Sequence, residues 1–238
     1  MDETYARDRQ NKPAVSYRYR TRALTAVRAM QRHLQTTGAL HLLDMGAADG
    51  GTLLEMGRLL GAGTTITGVE YSPVLVALAE RLEAAVHVVR GDISALPASV
   101  KDQSYHVVTA MAVLEHLEQP LMAIREAAAV LKPGGLLVAT TPQPFWDVLA
   151  TRLRLLEDHH ETHIRRAEMV AYAQQAGLDV LEYGNFMWAP VGFLPYLGIR
   201  IPARLTHAVD QAVQKLRVLN WLFVNQMVVA RKPLPTTR

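Results

Sequence analysis

LLDMGAADGG, residues 42–51, places an apolar pair and an aspartate ahead of a turn built from small residues, with an apolar, helix-like run behind it. A strand that empties through a glycine-rich turn into a helix lets backbone approach a ligand closely. It also aims the free N–H groups of the helix start at whatever lies in front of them. Glycines stand at 46, 50 and 51, and alanines at 47 and 48. The stretch therefore has the character of a nucleotide cradle, and its spacing must say which nucleotide.

Outward from this turn the chain alternates. Leu40–Asp44 reads as a buried strand and Thr52–Leu60 as a helix stopped by Gly61–Gly63. Thr65–Glu70 is a strand, and Ser72-Pro73 opens a helix over Val74–Glu83 with serine as cap and proline at its first position. Val86–Arg90, Tyr105–Ala110, Leu136–Thr141 and Leu178–Tyr183 read as further strands, with helices over Pro120–Leu131 and Arg165–Gln175. Nearly continuous apolar strands alternating with helices predict a doubly wound α/β sheet buried on both faces. In such sheets ligands sit beyond the C-terminal strand ends, where Asp44, Glu70, Asp92 and Met111 fall. Ala23–Leu34 reads as a helix ahead of the sheet, and Phe186–Pro202 as an aromatic loop after the sixth strand. A helix follows the loop, its apolar face drawn through Leu205, Val209, Ala212, Val213, Leu216 and Leu219 and its polar face through Asp210, Gln211, Gln214, Lys215 and Arg217. Asn225–Ala230 closes the pattern as a late strand.

The spacing of the turn rejects two cofactor classes. A phosphate-binding P-loop needs Gly-Lys-Ser/Thr, and Thr52 stands after Gly51 where the lysine belongs. The G-x-G-x-x-G of dinucleotide folds does not fit residues 46–51, and no tyrosine has a lysine four positions later, as short-chain dehydrogenases require. The third candidate is S-adenosylmethionine, which has no phosphate and ends in a zwitterionic tail.

Here several motifs converge. Asp44-Met45-Gly46-Ala47-Ala48-Asp49-Gly50 resembles motif I of the class I S-adenosylmethionine-dependent methyltransferases. Glu70 ends the next strand, Gly91-Asp92-Ile93 follows the third, Val113-Leu114-Glu115-His116-Leu117 follows the fourth, and Leu131-Lys132-Pro133-Gly134-Gly135 precedes the fifth. All four resemble landmarks of that family, in the family's order. The resemblance covers residues 38–184 and the final strand. It implies a Rossmann-like, seven-stranded sheet with its last strand antiparallel, an N-terminal helical extension over residues 1–37, and a methyltransferase domain over 38–238 that includes a helical insert at 185–220. It further implies that Asp44, Gly46, Ala47, Gly50, Glu70, Tyr71, Asp92, Ile93 and Met111 hold the cofactor, with Glu70 toward the ribose hydroxyls and Asp92 toward the adenine amine. The N-terminal SYRYRTR, residues 16–22, can fold over the cofactor and meet its carboxylate.

For the acceptor side, His116 and His163 are the candidate general bases, and a base matters most when the nucleophile is a hydroxyl. His159 and His160 accompany His163 in EDHHETHIRRA, with His159 read as solvated. Parts of the pattern resemble ubiquinone-pathway O-methyltransferases. Some of their relatives add a glutamate three residues before the Glu-His and bind a divalent cation; here that position is Ala112, so no metal is expected. Trp188, Phe193, Tyr196 and Trp221 supply apolar surface to the insert. The reading is methyl transfer to a small-molecule acceptor, at oxygen and on a large or hydrophobic substrate. N- or C-methylation of a natural product or lipid precursor, and a cofactor-binding protein without turnover, are the alternatives.

Composition narrows the remainder. With no cysteine among 238 residues, disulfides, thiolate metal sites and a cysteine nucleophile are excluded. The charged N-terminus is not a signal peptide, and a cytoplasmic protein is expected. The net charge of +3 is uneven. Residues 1–40 carry eight basic and three acidic residues and 200–238 carry seven and one, leaving ten basic against eighteen acidic between them. A basic rim of this kind can meet an anionic surface, so peripheral membrane contact through 185–220 is open. No basic run is dense enough for nucleic acid.

Overall fold

The computed structural model describes residues 12–34, 38–82, 86–152 and 161–235. In chain order the elements are α1 (Pro13–His33), β1 (Leu40–Met45), α2 (Gly51–Leu60), β2 (Thr64–Glu70), α3 (Pro73–Ala79), β3 (Val86–Arg90), α4 (Ala98–Lys101), β4 (Tyr105–Met111), α5 (Pro120–Val130), β5 (Leu131–Pro142), α6 (Pro144–Arg152), α7 (Arg166–Gln175), β6 (Asp179–Trp188), α8 (Ala189–Gly192), α9 (Ala203–Gln214) and β7 (Phe223–Arg231). Single 3₁₀ turns lie at Leu114–His116, Leu194–Leu197 and Arg217–Leu222.

One sheet holds all seven strands, in the order β3-β2-β1-β4-β5-β7-β6. The first five are mutually parallel, and β7 runs antiparallel between β5 and β6. The winding reverses between β1 and β4, so the crevice at their C-terminal ends is where a ligand belongs. The period of two along each strand divides the core. Leu42, Val107, Leu136, Val138 and Val229 face α1 and α2, whereas their neighbours Leu43, Val108, Leu137, Ala139 and Val228 face α5 and α7. Helix α1 thus belongs to the core: Ala23, Ala26, Val27 and Met30 are buried against one sheet face.

Two sequence expectations change. Strand β6 does not stop at Tyr183 but continues to Trp188, paired with β7 through Trp188↔Phe223. The proposed loop from Phe186 therefore begins as strand, then folds into α8 and a 3₁₀ turn. Helix α9 is rotated from its expected orientation. Its buried residues are Thr206, His207, Asp210 and Val213, while Leu205 and Leu216 are exposed. The cause is Asp210, whose carboxylate accepts the N–H of Met187 at 2.7 Å and of Trp188 at 2.9 Å. A buried acid that accepts two backbone N–H groups outweighs a leucine stripe turned inward. Met187 has φ +64, so the strand end turns sharply where the carboxylate holds it.

Candidate active site

The turn after β1 is fixed from β2. The N–H groups of Gly46 and Ala47 both donate to the Val69 carbonyl, at 2.9 and 3.0 Å. Gly46 has φ +85, and a Cβ there would overlap the Val113 side chain. Gly50 has φ +77, and a Cβ would come within 2.7 Å of Leu82 Cδ1. Gly46 is required by conformation and by space, whereas at Gly50 the positive φ decides, because the Leu82 terminal methyl can move aside. Ala48 adopts φ +50 despite its methyl group. Its N–H donates to Glu70 Oε2 at 2.9 Å, while Glu70 Oε1 receives the Ser72 N–H at 2.9 Å. Glu70 is 5% exposed, so a carboxylate at the end of β2 clamps the cradle on one side and the start of α3 on the other.

A narrow cleft lies over this turn. Tyr19, Arg22, Gly46, Ala48, Thr52, Glu70, Met111, Ala112, Val113 and His116 line it. Four expected site residues, Gly46, Glu70, Met111 and His116, are thereby brought together. Sequence reasoning named Thr52, Ala112 and Val113 as a helix start, the position of an absent metal ligand and part of a family motif, but not among the cofactor residues. Thr52 was visible as the first-turn residue of α2, whereas Ala112, at φ +54, shows its role only in the backbone. Tyr19 and Arg22 come from the SYRYRTR segment, which forms the first turns of α1 and reaches the cleft as a helix. Arg22 Nη2 also donates to Asn225 Oδ1 at 3.2 Å, tying α1 to β7.

The other expected cofactor residues sit around the cleft. Asp44 is buried beneath it, receiving the Thr109 hydroxyl across the β1–β4 pair. Ala47 is buried beside Gly68, whose lack of a Cβ lets the turn close onto β2. Gly91 donates its N–H to the Glu70 carbonyl, which sets Asp92 next in line beyond Glu70. Asp92 is exposed and accepts the Ser94 N–H at 2.7 Å, Ile93 turns into the core, and Tyr71 stands in solvent.

Near the two candidate bases, the Thr162 N–H donates to the Glu115 carbonyl at 3.1 Å. This hydrogen bond brings the segment carrying His163 beside the 3₁₀ turn carrying His116. His116 is half-buried and faces the cleft; His163 is exposed. His159 and His160 lie outside the described residues. Among the described residues no three His, Asp or Glu side chains gather as a metal site. Beyond β5, Gln226 is fully buried, and its amide donates to Thr141 Oγ1, Pro142 O and Ile164 O. Gln226 accepts the Tyr183 hydroxyl at 2.6 Å. Burial pushes the Tyr183 pKa up to about 12, with Arg166 over its ring opposing the rise. A string of aromatic rings, Trp221–Phe145–Trp146–Phe193–Tyr196, continues outward with centroids 5.3–6.1 Å apart. Trp146 Nε1 donates to the Trp221 carbonyl at 3.1 Å.

Comparison with known proteins agrees with this geometry. A family model described as a methyltransferase domain matches residues 5–183. A ubiquinone biosynthesis O-methyltransferase of Xanthomonas euvesicatoria pv. vesicatoria is 31% identical over 183 residues, covering 71% of this chain and 75% of that protein. Among solved structures, a putative methyltransferase in complex with the Haloferax volcanii Trm112 methyltransferase activator superposes with TM-score 0.67 at 21% identity, over 98% of this chain and 97% of the other. Magnesium protoporphyrin IX methyltransferase from Synechocystis PCC 6803, solved with bound S-adenosylhomocysteine, gives TM-score 0.60 at 14% identity, over 93% and 86%. At these identities the two structures speak for the fold. Among the described residues no helix is long and apolar enough to cross a membrane.

Proposed function

Since the chain belongs to the class I S-adenosylmethionine-dependent methyltransferases, we propose that it methylates a hydroxyl oxygen on a hydrophobic small molecule. The observation that carries this reading is the single cleft shared by the turn after β1, the Glu70 carboxylate and His116. A cofactor with a ribose diol and an amino-acid tail fits those residues: a buried carboxylate, a cradle of mostly small residues, and a guanidinium.

S-adenosylmethionine, when bound, supplies a methyl group on a sulfonium sulfur that is already electrophilic. The chain must therefore orient, exclude water and manage a proton. Glu70 retains acceptor capacity beside its two backbone N–H partners, enough for ribose hydroxyls. Arg22 and the N–H groups at the start of α2 take the carboxylate of the tail, and Asp92 takes the adenine amine. Met111, Ala48 and Gly46 form the apolar, close-fitting floor. His116 accepts the proton of the acceptor hydroxyl, with His163 as the second candidate base. Phe145, Trp146 and Phe193 enclose the greasy part of the acceptor.

The test is transfer of a radiolabelled methyl group to a panel of phenols, quinol precursors, sugars and amines. Label appearing as methyl ethers supports the reading. Label that goes only to amines or carbon overturns the oxygen assignment, and isothermal titration without S-adenosylmethionine binding overturns the cofactor residues.

A further inference from the structure

Helix α9 is packed inside out. Its buried side carries Thr206, His207 and Asp210, and Tyr17 of α1 hydrogen-bonds Thr206 at 2.8 Å. Its exposed stripe, at i, i+3, i+7 and i+11, runs Leu205, Ala208, Ala212 and Leu216, flanked by Arg204 and Lys215. The surface does not end with the helix. The 3₁₀ turn that follows exposes Val218 (80%) and Trp221 (62%). The aromatic string then leads from Trp221 through Phe145 to Tyr196, beside Leu197 (76% exposed). A continuous apolar face of this extent marks a contact surface.

Its charge identifies the contact. From residue 185 to the end of the chain the sole acid is Asp210, which is 2% exposed and committed to two backbone N–H groups. The basic residues Arg200, Arg204 and Lys215 are exposed. An exposed apolar stripe with tryptophan, in a stretch from residue 185 onward that exposes cations and no acid, matches the headgroup–acyl boundary of an anionic bilayer. We propose that the α9 face and its flanking turns dock this protein on anionic lipid. On the proposed function, in which Phe145, Trp146 and Phe193 enclose the acceptor, the Trp146–Trp221 hydrogen bond joins that enclosure to the docking face and a lipophilic acceptor enters from the bilayer.

Flotation with phosphatidylcholine vesicles, with and without phosphatidylglycerol, tests this. Association is expected only with phosphatidylglycerol present, and is lost in high salt. Leu205→Asp with Leu216→Asp, and separately Arg204→Glu with Lys215→Glu, should each weaken association at least about tenfold. Affinity for S-adenosylhomocysteine should stay unchanged, which shows that the variants fold and keeps the result independent of the acceptor assignment. Absence of flotation, or equal flotation on both vesicle types, overturns the proposal. So does a dimer, seen by light scattering, that the leucine substitutions break, because the face then belongs to a second copy of this chain.

Discussion

Ala48 and Glu70 lie 22 positions apart, yet the N–H of one meets the carboxylate of the other at 2.9 Å. The strand-ending acid is thus part of the cradle's own architecture, beside the ribose-binding role proposed for it. Glu70→Ala removes the acceptors of a buried and a part-buried N–H group, a cost of about 1.5–3 kcal/mol for hydrogen bonds to a charged group. Melting temperature and cofactor affinity should fall together. Titration calorimetry that finds affinity unchanged would mean that the carboxylate serves the turn alone.

Arg22 offers a sharper separation of roles. Arg22→Met should weaken S-adenosylhomocysteine binding by roughly 10–100-fold, the worth of a charge-assisted hydrogen bond. Methylthioadenosine, which lacks the amino-acid tail, should bind the variant and the parent equally. Equal losses for both ligands would assign Arg22 to holding α1 against Asn225 instead.

Gly46→Ala meets two obstacles, the Val113 side chain and φ +85. Strain of 1–3 kcal/mol plus overpacking of similar size predicts a marked drop in melting temperature. Adding Val113→Ala should recover only the packing part. Complete recovery in thermal unfolding would show that the backbone tolerates alanine there, and no recovery that Val113 is not the obstacle.

How far the sequence reaches can be judged from particular residues. The strands and the turn were legible because their signals are local: apolar runs of strand length, glycines with no room for a Cβ, and Ser72 capping α3. The family motifs then ordered them. Helix α9 was misread because its orientation is set by Asp210 reaching Met187 and Trp188, more than twenty residues back. Of the expected apolar face Val213 is buried, whereas Leu205, Ala212 and Leu216 face outward. Tyr17 and Thr206 are 189 positions apart, so the packing of α1 on the insert was equally invisible. Of the cleft lining, Glu70 and Met111 were expected from strand ends and Gly46 from the turn motif. Ala112 and Val113 were not expected there, because their contribution is backbone shape and position.

The buried pair His207 and Asp210 predicts a pH signature. Burial raises the Asp210 carboxyl to about 6, against the pull of the Met187 and Trp188 N–H groups. Burial first, and then the charges of Arg28 and Arg32, lower His207 to about 4. Between about pH 4 and 6 native Asp210 keeps a proton that the unfolded chain has lost, so its contribution to stability declines as pH rises. Between about pH 4 and 6.5 native His207 lacks a proton that the unfolded chain binds, so its contribution declines as pH falls. The two slopes oppose each other. Relative to the parent, Asp210→Asn should lose a few degrees of melting temperature on acidification from pH 6.5 to 4, and His207→Gln should gain. Parallel melting curves against pH for all three proteins would refute both shifts.

The two candidate bases differ in position, and position decides between them. His116 lines the cleft with Glu70 and Met111, whereas His163 is exposed on the neighbouring segment. A base must lie within hydrogen-bond reach of the proton it removes, directly or through one water. With a phenolic acceptor, His116→Gln should therefore lower kcat by about 10²–10⁴-fold, and His163→Gln by much less. The His116→Gln deficit should shrink as pH rises toward the pKa of the phenol, because an acceptor that ionises by itself needs no base. Binding of S-adenosylhomocysteine should persist. A deficit constant across pH would assign His116 to positioning the acceptor, and a larger loss in His163→Gln would move the base to the segment beyond β5.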